Sequence, residues 1–87
     1  KQIERVLVTD RAVRVTRETP KWSQVVWESP TAFTRVSVLT DDDQTVDLRL
    51  ALSGKEAAVA RALSPGERAE FAKALEGAIR QARRPRF

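Results

Sequence analysis

Apolar and polar residues alternate with a period of two along most of the first sixty residues. This is the pattern of β-strands that cover one face and expose the other. Residues 6–8 and 13–15 alternate in this way on either side of the polar segment 9–11, which predicts a hairpin. The pattern then breaks at Pro20, because proline cannot donate a hydrogen bond to a sheet.

Further strands are predicted in the middle of the chain. They cover residues 22–28, 33–40 and 45–52, with a short, weaker strand at 56–60. Trp22 and Trp27 are an odd number of positions apart, so regular alternation places them on opposite faces of their strand. The cleanest alternation lies in 45–52, where the residues predicted to face the core are Val46, Leu48, Leu50 and Leu52.

The end of the chain has the pattern of one amphipathic helix over residues 65–83. Ser64 followed three residues later by Glu67 is a capping box, and proline is favoured at the first helical position. Apolar residues then recur at three- and four-residue steps, which predicts a stripe that lies on the strands. The stripe is formed by Phe71, Leu75, Ile79 and Ala82.

These elements predict an α+β fold: a curved antiparallel sheet of five to six strands, paired in order as a meander and closed by one C-terminal helix. The strands occupy about residues 3–61 and the helix about 65–83. At 87 residues the chain has the size of one small domain, and we expect a single domain over 1–87.

Composition removes most catalytic chemistry. The chain contains neither His nor Cys, which excludes the commonest general base, the usual zinc ligands and a cysteine nucleophile. The adjacent Asp41, Asp42 and Asp43 lack the alternating spacing and distant Glu of a calcium loop, so we interpret them as an exposed turn. We therefore expect no enzyme activity, no cofactor and no metal site.

Charge is unevenly distributed along the chain. Residues 1–72 have no net charge, so the formal charge of +4 is that of residues 73–87. A basic segment of this kind attracts phosphate groups, although cations also suit the negative end of a helix dipole. The candidate contacts for anions or a partner are Arg80, Arg83, Arg84 and Arg86, with Lys21 and Trp22 as a second patch.

The segment Leu63-Ser64-Pro65-Gly66-Glu67-Arg68, followed by Phe71 and an alanine-rich helix, carries a family resemblance. It resembles the closing segment of an uncharacterised bacterial inner-membrane protein family, DUF2244, whose members have a short strand, a Leu-Ser-Pro-x-Glu-Arg helix start and an amphipathic helix. The strands upstream are compatible with this family. Ala60 and Ala62 depart from it, since the family often has glycine and an aromatic residue there.

The resemblance implies a pair of membrane-spanning helices ahead of the strands, and a tail similar to bacterial pleckstrin-homology-like domains. No run in this chain approaches the roughly 18 apolar residues that a spanning helix needs. We therefore expect the chain to be the soluble tail of an inner-membrane protein, on the cytoplasmic side. The family has no established activity that could be transferred.

The function expected is binding, to a partner protein or to an anionic membrane surface. The alternative is a nucleic-acid-binding module that uses the basic end of the C-terminal helix. The neutral charge of residues 1–72, and the lack of aromatic residues among the arginines of the basic segment, argue against it. Self-association through a free sheet edge or an exposed apolar face is a third expectation.

Overall fold

The computed structural model describes residues 1–84, which form six strands, a short 3-10 helix and one α-helix. All strands precede the α-helix, so the predicted α+β class is confirmed. The elements are β1 (Ile3–Val8), β2 (Ala12–Thr19), β3 (Trp22–Pro30), the 3-10 helix (Thr31–Phe33), β4 (Arg35–Asp41), β5 (Gln44–Leu52), β6 (Lys55–Ala58) and α1 (Pro65–Ala82).

The strands form two antiparallel sheets, ordered β1-β2-β3 and β4-β5-β6. Within each sheet, strands that follow one another in sequence pair as predicted, but β3 and β4 share no ladder. The break follows Pro30, which has no N–H to donate, and the 3-10 helix then separates the two strands. Two sheets covered by one C-terminal helix fit the outline of a pleckstrin-homology-like domain.

The register of β3 shifts by one residue at Val26, where a β-bulge interrupts its pairing with β2. Trp27 lies opposite Val15, and Trp22 lies opposite Thr19. Val15 and Thr19 are four residues apart on β2 and therefore face the same side, and directly opposed residues share a face. Both tryptophans thus lie on the inner face. Their predicted placement on opposite faces is wrong, because the extra residue cancels their odd spacing.

A second bulge changes the start of β5. Leu39 of β4 lies opposite Asp47, but the next residue, Thr40, lies opposite Thr45, so Val46 is the extra residue. Thr45 takes the inward position and is buried, whereas Val46 is 41% exposed. The prediction that Val46 belongs to the core is therefore wrong, while Leu48 and Leu50 beyond the bulge are fully buried as predicted.

Helix α1 begins with the predicted capping box. The Ser64 hydroxyl accepts a hydrogen bond from the Glu67 N–H, and the Glu67 carboxylate accepts one from the Ser64 N–H. α1 packs mainly on β5, with further contacts to β4 and β1. The buried core is formed by Val13, Val15, Leu48, Leu50, Val59, Ala60, Ala72, Leu75 and Ile79.

The chain between β6 and α1 is fastened by Arg68. β6 ends at Ala58, two residues earlier than predicted, and Ala60 adopts a left-handed backbone with φ of 59°. The five N–H groups of the guanidinium suit such a site, because they donate in several directions from one plane. The carbonyls that accept from Arg68 are those of Ala60, Thr45, Val46, Arg61 and Leu63, at 2.6–3.2 Å.

Candidate functional site

The two groups of sequence-predicted contact residues lie far apart. Arg80, Arg83 and Arg84 lie at the C-terminal end of α1, next to the turns that border Ala12 of β2. The second patch lies at the other end of β2, beside Thr19. At about 3.3 Å per residue, the length of β2 separates the two by roughly 25 Å. Arg86, the remaining candidate, lies outside the described residues.

Arg83 differs from its neighbours because its guanidinium is engaged by the protein. Its Nε donates to the Thr31 carbonyl at 2.9 Å, and its Nη2 donates to the Thr34 carbonyl. The side chain thus ties the last turn of the fold's α-helix to the 3-10 helix between the sheets. It contributes positive charge at this surface, but it is held in place and serves the fold as well.

Buried hydroxyl groups hold the same turn from the inside. Thr31 is fully buried, and its hydroxyl donates to the Thr9 carbonyl at 2.7 Å. The Thr34 hydroxyl is hydrogen-bonded to the Pro30 carbonyl and to the Ser29 hydroxyl, at 2.6 and 2.7 Å. Because each polar group here has a partner, the turn is a rigid element and not a loose connection.

Phe33, at the end of this turn, points away from the core and is 69% exposed. It lines a surface hollow of about 680 Å³ together with Arg35 and Arg83. A second hollow of about 400 Å³ lies beside it, where Arg35 and Arg83 meet Arg80 and Glu76 of α1. The turn therefore presents an aromatic ring among arginine side chains.

The arginines differ in whether a carboxylate holds them. Four arginines of β1, β2 and β5 are held by carboxylates within 2.7–3.3 Å, in the pairs Arg5–Glu18, Arg14–Glu28, Arg17–Glu4 and Arg49–Asp47. The hydrogen bond from Arg49 lowers the pKa of Asp47 below its ordinary value. These arginines are largely neutralised and offer little charge to a ligand.

Other arginines make no side-chain hydrogen bond or ion pair within residues 1–84. They are Arg11, Arg35, Arg61, Arg80 and Arg84. All except Arg61 lie at the end of the molecule where α1 finishes. We call Phe33 with Arg11, Arg35, Arg80, Arg83 and Arg84 the basic end. Its acidic neighbours are Asp10, which lines a hollow with Arg84, and Glu76.

The second patch is smaller. Trp22 is 46% exposed on the inner face, beyond the part that α1 covers, and Lys21 is exposed in the turn before it. The Lys21 backbone N–H donates to the Thr19 hydroxyl, which shapes the turn. No described arginine is placed beside Trp22 by a contact or a shared hollow, so this patch carries little charge.

A cleft of about 550 Å³ lies between β1 and the segment before α1. Glu4 and Arg17 form an ion pair on its wall at 3.3 Å, and the other Glu4 oxygen accepts from the Ala60 N–H at 2.8 Å. Both carboxylate oxygens of Glu4 are thereby occupied. Glu4 and Arg17 thus bond to other groups of the protein, and they do not point together at a position that a ligand could occupy.

In a comparison with protein families, the family described as Integral membrane protein (DUF2244) matches residues 1–79 of the chain. The chain belongs to this family. The resemblance carried by the Leu-Ser-Pro-Gly-Glu-Arg segment is thus confirmed, and the DUF2244 match includes every strand and most of α1. No curated protein and no solved structure matches the chain.

The DUF2244 match includes Phe33 and Arg35 but stops before Arg80. Within residues 1–84, no helix has the length and apolar content needed to cross a bilayer. The same residues contain no group of three or more acidic side chains arranged to hold a metal ion.

The sequence pattern did not indicate Phe33, Arg11 or Arg35 as parts of this surface of the DUF2244 chain. The alternation in 33–40 predicts that Phe33 begins a strand, whereas in the structure Phe33 ends the 3-10 helix. The signal that could have found it is the pair Pro30 and Thr31, which favours a turn just before an aromatic residue.

Proposed function

We propose that this chain is a non-enzymatic domain that docks on an anionic membrane surface through its basic end. The observation that carries this proposal is the distribution of paired and unpaired arginines. Those on β1, β2 and β5 are paired with carboxylates, whereas four of the five without a partner among residues 1–84 lie at the basic end. Unpaired guanidinium groups are the ones that gain most from phosphate headgroups, since no internal partner has to be given up.

The chemistry of the surface favours a membrane over a shaped ligand. The hollows beside Arg35 and Arg84 are open and shallow, and the cations are spread over several elements. A flat field of positive charge suits many headgroups at once, whereas a single small ligand needs convergent donors. Membership of an integral membrane protein family supports this proposal, because such a domain stays near a bilayer. We place it at the cytoplasmic leaflet, where anionic lipids concentrate.

The test is co-sedimentation of the 87-residue chain with vesicles of phosphatidylcholine alone and of phosphatidylcholine mixed with phosphatidylglycerol. We expect binding to the mixed vesicles only, weakening as salt is added. The double variant Arg80→Gln/Arg84→Gln should bind about 30-fold more weakly, since each basic residue near an anionic surface contributes about 1 kcal/mol.

The matched control is Arg5→Gln/Arg14→Gln, which removes the same charge from residues that are paired on the sheet. It should bind like the unmodified chain. A third variant, Lys21→Gln/Trp22→Ala, tests the second patch and should also bind normally. Equal binding to both kinds of vesicle, no binding to either, or an equal loss in the control would refute the proposal.

A further inference from the structure

The turn of Thr31–Phe33 is supported more heavily than its length requires. It receives hydrogen bonds from Arg83 on α1, and its own polar groups reach the β1–β2 turn through the Thr31 hydroxyl and the Thr31 N–H. Elements from three parts of the chain therefore converge on three residues. Ordering a turn to this degree costs conformational entropy, which the contacts must offset.

The ordered turn exposes an apolar side chain, that of Phe33, to solvent. Phe33 is the most exposed of the large apolar residues between positions 1 and 84, and the buried part of the turn consists of polar hydroxyl groups. An aromatic ring in such a position contributes nothing to the core. Fixing it in advance does lower the entropic cost of placing it in another apolar medium.

The residues around the Phe33 ring indicate which apolar medium it enters. Arg35 and Arg83 line the hollow beside Phe33, and Arg80 lies in the next hollow. An apolar protein surface would have to desolvate these guanidinium groups, which is costly. A bilayer offers phosphates to the arginines and acyl chains to the ring. Its phosphates lie outside its acyl chains, so both contacts can form at once.

We infer that Phe33 is an apolar anchor which enters the acyl boundary of an anionic membrane while the surrounding arginines contact the headgroups. This inference rests on the proposed function and adds the part of the membrane that the site recognises. The arginines supply attraction that salt weakens, and the ring supplies hydrophobic attraction that salt leaves in place. Trp22 is less suited, since it is more covered and has no arginine beside it.

The experiment compares Phe33→Ala, Phe33→Trp and the control Ile3→Ala in co-sedimentation with the mixed vesicles. Ile3 is 51% exposed, but it lies on β1, away from the turn. We expect Phe33→Ala to bind about tenfold more weakly at low and at high salt, because one apolar side chain no longer leaves water. Phe33→Trp and Ile3→Ala should both bind like the unmodified chain.

Fluorescence quenching tests whether the side chain at position 33 enters the acyl region of the membrane. The Phe33→Trp chain should lose more fluorescence than the unmodified chain when the mixed vesicles carry bromine-labelled acyl chains, since bromine quenches only indoles close to it. Thermal unfolding of each variant should match the unmodified chain, because Phe33 packs on nothing in the core.

Each other outcome overturns the inference. If Phe33→Ala binds normally while Arg80→Gln/Arg84→Gln does not, the anchor is wrong and the electrostatic function stands. If the unmodified chain binds no vesicle, both fall. If Phe33→Ala abolishes self-association seen in sedimentation velocity without vesicles, the ring is a protein contact and not a membrane anchor.

Discussion

The guanidinium of Arg83 reaches back across the fold to the carbonyl of Thr31, 52 residues earlier, with an Nε–O distance of 2.9 Å. This contact joins the end of the last helix to the turn at which the two sheets separate. The charge pattern does not predict this contact, because it groups Arg83 with the other arginines of the basic segment. The same residue therefore links the stability of the turn to the surface that the turn presents.

Arg83→Gln should destabilise the chain by about 1.5–3 kcal/mol, the usual contribution of hydrogen bonds from a charged group. The amide is too short to reach both carbonyls, which lose their donor. Urea unfolding followed by circular dichroism measures the change. Arg84→Gln is the control and should alter the free energy of unfolding by less than about 0.5 kcal/mol. Equal effects of the two would show that the contact to Thr31 does not form.

Arg68→Lys should be nearly as harmful as Arg68→Ala, with a loss of about 3 kcal/mol or more. An ammonium group has three donors and lacks the flat fork that serves five carbonyls. The comparison is made by urea unfolding, with Arg61→Ala as a nearby control that should change stability little. A lysine variant as stable as the unmodified chain would show that charge alone is required at this position.

Asp43→Gly should stabilise the chain by about 1 kcal/mol, because glycine avoids the steric cost of a Cβ in the left-handed region. Asp42 and Asp43 have φ angles of 50° and 65°, a type I′ turn in which Asp-Gly is the favoured pair. Asp43→Ala is the control, since it removes the same charge without relieving the backbone. Thermal unfolding should therefore rank glycine above aspartate and aspartate near alanine. If alanine stabilises as much as glycine, repulsion among the three aspartates is the cause instead.

Stability at acid pH should depend on Glu67. Hydrogen bonds from the Ser64 backbone N–H, and then from its hydroxyl, hold the Glu67 pKa below its ordinary value of 4.5. A carboxylate with a lowered pKa stabilises the fold above its unfolded pKa, and this contribution disappears as pH falls through the folded pKa. Glu67→Gln should therefore lose stability relative to the unmodified chain near neutral pH, and the difference should shrink below about pH 4.

Urea unfolding at a series of pH values measures that difference. Glu70→Gln, one turn along the same helix, provides the matched control, because its carboxylate makes no hydrogen bond within residues 1–84. It should change the free energy of unfolding at neutral pH by less than about 0.5 kcal/mol. A Glu67→Gln curve parallel to that of the unmodified chain would contradict the capping role.

Local rules predicted the elements well. The start of α1 follows from Ser64 and Glu67, because capping depends on residues only three positions apart. Leu48 and Leu50 follow from alternation within one strand. Both features depend on residues that are close together along the chain, so the local sequence pattern is enough to predict them.

The missed features depend on pairing between distant residues. Whether Val46 faces inward is decided by how β4 and β5 align, and the side of Trp22 is decided by the alignment of β2 and β3. The candidate site shows the same limit. Arg80 and Arg84 could be named from charge, but Phe33 joins them only because the 3-10 helix folds back beside α1.

The bulge at Val26 makes the length of β3 as important as its composition. Deleting that single residue would remove the bulge and leave the other pairs of the ladder in place, because Trp22 and Trp27 would then be four positions apart and would still share the inner face. Adding one residue there would instead require a second bulge, or it would turn the first half of the strand over and move Trp22 to the outer surface. In DUF2244 chains that pack the same way, the loss of one residue between the two tryptophans should therefore be tolerated, whereas the gain of one should be selected against.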